Sequence, residues 1–160
     1  MGKSIFQIIL FHGADILNSD GMLSERKYIQ HGNVSCYEHS IGVAEKSIEI
    51  AQFFSIPIDE RSLVRGALLH DYFLYDWHRH EHRLHGFFHA KRAFMNAKSD
   101  FNLNKIEIDI IKRHMFPLNI CPPIYRESWI VCMADKICAF EETVNNRKFS
   151  FIKRFLSFHI

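Results

Sequence analysis

Apolar residues recur at three- and four-residue steps along most of this chain, and that helical periodicity is the feature that most constrains its fold. No run shows a convincing two-residue alternation of the kind that a half-buried β-strand needs. We therefore expect an all-α helical bundle. The predicted helices cover Ser4–Leu17, Cys36–Phe54, Asp59–His70, His85–Ala97, Asn104–Met115 and Glu127–Asn145.

Turn and capping residues separate these predicted helices. Pro57 interrupts the chain and Asp59 offers an N-cap to the next helix, while Asn104 and Glu107 have the spacing of a capping box. The phenylalanine-rich tail, Arg147–Ile160, fits a last packed helix. No linker interrupts the 160 residues, and a hydrophobic content of 48% suffices for one core. The sequence predicts one domain over residues 1–160, with its motifs within about residues 36–145.

Composition excludes several classes of partner. The formal net charge is +2 and the charged residues are interspersed, so nucleic acid is not expected as a partner. The apolar run Ile5–Phe11 is too short to span a membrane. The four cysteines form no CxxC pair, which is typical of free thiols in a reducing compartment. We expect a cytoplasmic protein, and the sequence leaves its oligomeric state open.

Several histidines and aspartates lie on or beside apolar helix faces. His39, His114 and Asp135 each align with apolar neighbours one turn away, and the dipeptide His70-Asp71 closes the apolar run Leu63–Leu69. Each residue alone fits an ordinary core role, as a hydrogen-bonded histidine or a carboxylate paired with an arginine or lysine. A buried carboxylate is costly unless it is paired, strongly hydrogen-bonded or bound to metal. The combination favours a metal site built from nitrogen and oxygen donors.

The motifs in the order His39, His70-Asp71 and Asp135 resemble those of the HD-domain superfamily of metal-dependent phosphohydrolases. The matching sequence motifs are "EHSIGVA", "ALLHD" and "MADK", and the resemblance covers roughly residues 37–139. It implies an all-helical fold in which these four residues hold a metal ion, acting mostly on phosphoester bonds of nucleotides. A subset of the family adds two histidines and holds two metals. The chain offers His114 for one of these positions.

Two histidines compete for the remaining position, in "LHGFFHAKRA". His85 and His89 lie four residues apart and share a helix face, so spacing alone permits either one. The family's two-metal pattern has a small residue four positions after the ligand, which favours His89. His85 is then left to support a ligand, to contact phosphate, or to begin the helix with no role in the site. His78, His80 and His82 alternate with charged residues, which is typical of a solvated segment, and we exclude them from the site.

The resemblance implies hydrolysis of a phosphoester by attack of a metal-bound hydroxide. Two divalent ions are expected, iron, manganese or similar, with Asp71 as the bridge between them. Asp71 and Asp76 are the predicted catalytic residues, Asp76 as a general acid or as a partner of a ligand. The substrate is expected to be a small phosphorylated molecule, such as a nucleotide. Its predicted contacts are Arg65, His85, Lys112, Arg113 and Lys136.

Departures from the family patterns argue against some substrate classes but do not identify the substrate. Leu74 and "HMFPL" stand where the cyclic-dinucleotide phosphodiesterases have a lysine and a Gly-Tyr-Pro signature. The segment "HDYFLYDWH" lacks the acidic residues of the guanosine-tetraphosphate hydrolases. Bacterial diadenosine-tetraphosphate hydrolases share the six-ligand order. The alternative function is a non-catalytic module of the same family that binds a nucleotide or a protein and uses its metal structurally.

Overall fold

The computed structural model describes residues 3–76 and 85–145, and helices dominate both ranges. The predicted all-α class is confirmed. The one pair of strands in these ranges is a short antiparallel hairpin, β1 (Ile29–His31) and β2 (Val34–Ser35). The helices are α1 (Ile5–Leu17), α2 (Asp20–Ser24), α3 (Cys36–Phe53), α4 (Glu60–Leu69), α5 (His85–Asp100), α6 (Lys105–Arg113) and α7 (Arg126–Asn145), with a single 3₁₀ turn at Glu25–Lys27.

Side-chain caps set where several of these helices begin. Ser35 accepts a hydrogen bond from the backbone N–H of Glu38, and the Glu38 carboxylate accepts one from the N–H of Ser35 in return. Asn104 and Glu107 form the same reciprocal box at α6, as the sequence predicted. Asp59 caps α4 through the N–H of Ser62. Capping of this kind satisfies donors that would otherwise be left without partners at the first helical turn.

Helix α4 lies at the centre of the bundle and packs against α1, α3 and α6. At Gly66 a Cβ atom would come within 2.3 Å of the Ile110 side chain, so the glycine permits a close approach of α4 and α6. His70 and His114 are the C-cap residues of these two helices. The close packing therefore brings the two histidine-bearing helix ends together.

The hairpin is the main element that the sequence did not predict. Its strands are three and two residues long, which is too short for an alternating pattern to be visible. Gly32 turns the chain with a φ of 55°, a left-handed conformation that suits glycine. The backbone N–H of Cys36 donates to the carbonyl of Tyr28 at 2.8 Å, which ties the hairpin to the start of α3.

No helix in the described ranges combines the length and the hydrophobicity that a membrane span requires. The predicted tail helix, Arg147–Ile160, lies outside the described residues, as do His78, His80 and His82. Only the backbone of His85 is described, at the start of α5, so the prediction for its side chain stays a prediction.

Candidate metal centre

The six predicted ligands come together at one end of the bundle, and all six side chains are buried. The fold delivers them from five helices: one from within α3, one from α5, one from α7, and the rest from the ends of α4 and α6. The exposed fraction of each residue is at most 9%. The residues are His39, His70, Asp71, His89, His114 and Asp135.

The first part of the cluster surrounds one carboxylate oxygen of Asp135. Its Oδ1 lies 3.1 Å from Nε2 of His39 and 3.6 Å from Nε2 of His70. Oδ2 of Asp71 closes the group, at 3.5 Å from Nε2 of His70 and 3.9 Å from Nε2 of His39. These four residues offer donor atoms that all lie within 4.8 Å of one another, a spacing that can hold a metal ion.

The second part surrounds the other oxygen of Asp71. Its Oδ1 lies 3.3 Å from Nε2 of His89 and 3.3 Å from Nε2 of His114. The two imidazole nitrogens are themselves 3.0 Å apart. Asp71 therefore belongs to both donor groups, with one oxygen turned toward each.

Backbone carbonyls fix the orientation of two of the histidines. Nδ1 of His70 donates to the carbonyl of Ala67 at 2.7 Å, and Nδ1 of His114 donates to the carbonyl of Ile111 at 2.9 Å. A carbonyl oxygen can only accept, so the proton sits on Nδ1. In the neutral ring, Nε2 is then left with a lone pair facing the cluster.

His39 is held differently, by a carboxylate. Its Nδ1 lies 2.9 and 3.1 Å from the two oxygens of Glu142, which is fully buried in α7. Burial alone would lower the pKa of His39, but Asp135 and Glu142 on either side of the ring raise it well above its usual range.

The charges of the cluster do not balance. Asp71, Asp135 and Glu142 are buried, and in the described part of the chain no lysine or arginine forms an ion pair with any of them. Burial opposes ionisation of Asp71, yet His70, His114 and His89 hold the pKa of its carboxyl well below the usual range. Even with a protonated His39 as one positive charge, three ionised carboxylates are costly to bury without a further countercharge.

Two potential ligand atoms of the cluster have no hydrogen-bond partner among the described residues. They are Nε2 of His70 and Oδ1 of Asp71, and both are inaccessible to solvent. Buried polar atoms are ordinarily paired, so these two need an explanation. A divalent cation at each group would supply the missing charge and the missing partners, and imidazole nitrogen and carboxylate oxygen are suitable ligands for it. The donor set therefore fits metal ions.

A cavity of about 340 Å³ opens beside Asp71, His89 and Asp135. One wall is apolar and comes from the segment after α6, with Met115, Pro117 and Leu118. The remaining lining residues are Gln30, His31, Lys136 and Ala139.

Lys136 is the predicted substrate contact that the structure brings to this cavity. Its Nζ donates to the carbonyl of His114 at 3.0 Å and lies 3.3 Å from the carbonyl and the Sγ of Cys132. The ammonium is thus held at the C-terminal end of α6, beside the cluster. A fixed cation there is suited to an anionic ligand.

The other predicted cations lie elsewhere. The Arg65 side chain is buried against α1 and α6, where it contacts Asp15 and Glu107. Arg113 bonds Asp109 and a backbone carbonyl, and Lys112 lies over the ring of Phe94. Not one of the three is among the described residues that line the cavity at the cluster. The structure therefore does not bring them to the site, because structural partners on neighbouring elements engage them.

Asp76 is half-buried near the end of the first described range, five residues after Asp71. It is likewise not among the described residues that line the cavity. Its assignment as a catalytic residue stays a prediction.

Sequence reasoning missed two residues that hold the cluster. Gln30 donates through Nε2 to Oδ2 of Asp71, and its Oε1 accepts from Sγ of Cys36. It comes from the unpredicted hairpin, so no signal pointed to it. Glu142 had a signal, because it follows Asp135 by seven residues on the same helix and therefore lies on the same face, two turns later.

Comparison with known protein families gives one match. The sequence model of the HD domain matches residues 36–139, about two thirds of the chain, and this range contains all six residues of the cluster. Searches of curated proteins and of solved structures gave no match.

Proposed function

The chain belongs to the HD-domain family, and from that premise we propose that it is a metal-dependent phosphohydrolase acting on a small phosphorylated molecule, such as a nucleotide. The observation that carries the proposal is the position of Asp71 between the two donor groups, one oxygen 3.5 Å from Nε2 of His70 and the other 3.3 Å from Nε2 of His89. Two-metal hydrolases use two ions about 3.5–4 Å apart, and a shared carboxylate suits that spacing.

The six buried residues would hold the two ions. His39, His70 and Asp135 would bind one, His89 and His114 the other, and Asp71 both. When bound, such ions neutralise phosphoryl oxygens and lower the pKa of water so that it can attack phosphorus near neutral pH. The chain's own contribution is to fix the donors before substrate arrives, through Ala67, Ile111 and Glu142 behind the histidines and Gln30 behind Asp71.

The cavity supplies the substrate site in this proposal. The phosphoryl group would lie at the open edge of the cluster, near Asp71, His89 and Asp135, with the Lys136 ammonium beside it. The rest of the substrate would contact the apolar wall that includes Met115 and Leu118. Substrate cavities in proteins commonly combine apolar walls with a few fixed polar groups.

The test is a panel of phosphoesters assayed with manganese, and with ferrous iron under reducing conditions. The panel holds p-nitrophenyl phosphates, mono-, di- and cyclic nucleotides, and dinucleoside polyphosphates. We expect turnover of at least one class, and loss of that turnover in Asp71→Asn. Asp20→Asn is the matched control, because Asp20 is exposed in the first turn of α2, away from the cluster.

Three results separate the alternatives. Turnover that persists in Asp71→Asn would mean that the cluster is not the active site. Metal binding without any turnover would favour the non-catalytic module of the same family. Neither metal binding nor turnover would leave a helical protein with an ordinary buried polar core.

A further inference from the structure

We propose that the two halves of this centre are unequal: the half formed by His39, His70 and Asp135 is the tighter cation site, and Glu142 is the positioning residue that makes it so. This inference rests on the metal centre of the proposed function but not on any substrate. Its test is a binding measurement, so it can fail or succeed independently of hydrolysis.

The two halves differ in the number of described carboxylates available to each. His39 and His70 share their half with Asp135, whose Oδ1 lies within 3.6 Å of both imidazoles, and with one oxygen of Asp71. Among the described residues, the carboxylate oxygen that lies close to both His89 and His114 is the other oxygen of Asp71. At short range in a buried site, one additional negative charge strengthens the binding of a divalent cation considerably.

The histidines also differ in the group that lies behind each ring. Carbonyl oxygens accept from Nδ1 of His70 and of His114, whereas a carboxylate accepts from Nδ1 of His39. A carboxylate behind an imidazole fixes its tautomer and raises the basicity of the opposite nitrogen, which makes it a better ligand. Among the three histidines whose Nδ1 contacts are described, His39 is the one with this arrangement.

One helix, α7, holds His39 from both sides. Asp135 lies 3.1 Å from its Nε2, and Glu142, two turns further along α7, lies 2.9 Å from its Nδ1. Glu142 has no exposed surface, and its only described ion pair is with His39. The ring is therefore constrained on both edges before any ion arrives, and a preorganised ligand loses less entropy on binding.

Another interpretation of the same contacts is an ordinary buried ion pair. In that case Glu142 would stabilise a charged His39 in the fold and have no specific effect on either cation. The two interpretations differ in which binding step depends on Glu142. A purely structural role predicts a change in stability but leaves the relative affinity of the two halves unchanged.

The experiment is a calorimetric titration of metal-free protein with Mn²⁺. The wild type is expected to bind one equivalent tightly and a second more weakly. Glu142→Gln is expected to weaken the first equivalent by about 10- to 100-fold and the second by much less. Glu127→Gln is the matched control: Glu127 is a buried glutamate on the same helix, and its Oε1 accepts from the backbone N–H of Asp59, which an amide oxygen can still do. It should leave both steps unchanged.

A second pair of variants shows which half of the centre binds the tight equivalent and which binds the weaker one. His114→Asn should keep the tight equivalent, and Asp135→Asn should lose it while the weaker one remains. Equal affinities in the wild type, or a Glu142→Gln protein whose tight step is unchanged, would overturn the inference. So would loss of the tight step in His114→Asn with its retention in Asp135→Asn.

A measurement on the wild type covers the case in which Glu142→Gln does not fold. Nitrogen-15 NMR of the protein with bound Zn²⁺ should show His39 with its proton on Nδ1 and a ligated Nε2. A proton on Nε2 of His39, or a ligated Nδ1, would contradict the assigned role of Glu142 without any substitution.

Discussion

Two groups of polar residues lie on the same pair of helices, each around at least one buried carboxylate, and they differ in how their charges are balanced. Toward the N-terminal parts of α4 and α6, Arg61 and Arg65 meet Glu107, and Arg65 also meets Asp15 of α1. At the C-terminal ends of the same helices lies the metal-centre cluster. The first group has two cations for two anions, with separations of 2.6 to 3.4 Å.

The second group has three carboxylates and, among the described residues, only histidines as their ion-pair partners. Among the described residues, it leaves Nε2 of His70 and Oδ1 of Asp71 without hydrogen bonds, as the first group leaves Nε of Arg65. The comparison teaches that burial of a polar residue does not by itself indicate a functional site. What distinguishes the two groups is that the second needs a cation that the described residues do not supply.

Substitution within the cluster should have the largest effect. In His70→Gln we expect turnover to fall on the order of 10³-fold or more, equivalent to about 4 kcal/mol of transition-state stabilisation, because the side chain that contacts both Asp71 and Asp135 is lost. Steady-state kinetics checks this, with circular dichroism to show that the fold is kept. Turnover within a few-fold of wild type would remove the functional distinction between the two groups.

Substitution in the ion-pair group should affect stability instead. Arg65→Met leaves Glu107 without one of its two cations in a buried position, and we expect a loss of about 3 kcal/mol in the free energy of unfolding. Metal content, kcat and KM should stay at wild-type values. Urea unfolding measures the loss of stability, and steady-state kinetics measures kcat and KM. A raised KM would indicate that Arg65 contacts the substrate, as the sequence predicted.

Removing metal should destabilise the cluster end alone. Binding at 100 times Kd contributes about 2.7 kcal/mol per site, so chelation should lower Tm by about 5–10 °C for each site occupied at that level in a protein of this size. The same decrease is expected in Arg65→Met, because the two groups share no residue. Scanning calorimetry with and without chelator measures it. A decrease that differs between the two proteins would show that the groups are coupled.

Glu45 provides a third case, a half-buried carboxyl with one oxygen that has no hydrogen-bond partner among the described residues. Burial, and then the charge of Glu49, raise its pKa to about 7 from an ordinary 4.5. The folded state therefore favours the protonated form, so its contribution to stability is present below pH 4.5 and is lost as the pH rises through 7.

Replacement of Glu45 by glutamine should remove this pH dependence. We expect Glu45→Gln to exceed the wild type in Tm by about 2 °C at pH 8, with the effect kept small by solvent screening, and to match it at pH 4. Thermal unfolding at the two pH values checks the prediction. A difference of equal size at both pH values would mean that the Glu45 charge is not its cause.

Much of the candidate site could be predicted from sequence because its ligands occupy regular helices. His39 and Asp135 align with apolar neighbours, and the helix-ending positions of His70 and His114 follow from the same periodicity. The long-range partners could not be predicted. Arg65 and Lys112 lie within about a turn of a predicted ligand in sequence, yet their side chains point to other elements, since helix position alone does not say which neighbour a long side chain reaches.

The hairpin was missed for a related reason. Five strand residues are too few to show a two-residue alternation. The hairpin nevertheless places Gln30 against Asp71 and His31 in the lining of the cavity. Contacts of this kind depend on tertiary packing between elements that are far apart in sequence.

The most direct test of the central claim is the metal content of protein purified without a histidine tag, measured for the wild type and for Asp71→Asn. The account predicts two equivalents of a divalent metal in the wild type, and one or fewer in Asp71→Asn because both halves lose a shared ligand. Less than about half an equivalent in the wild type after incubation with manganese or ferrous iron, or two equivalents in both proteins, would contradict it.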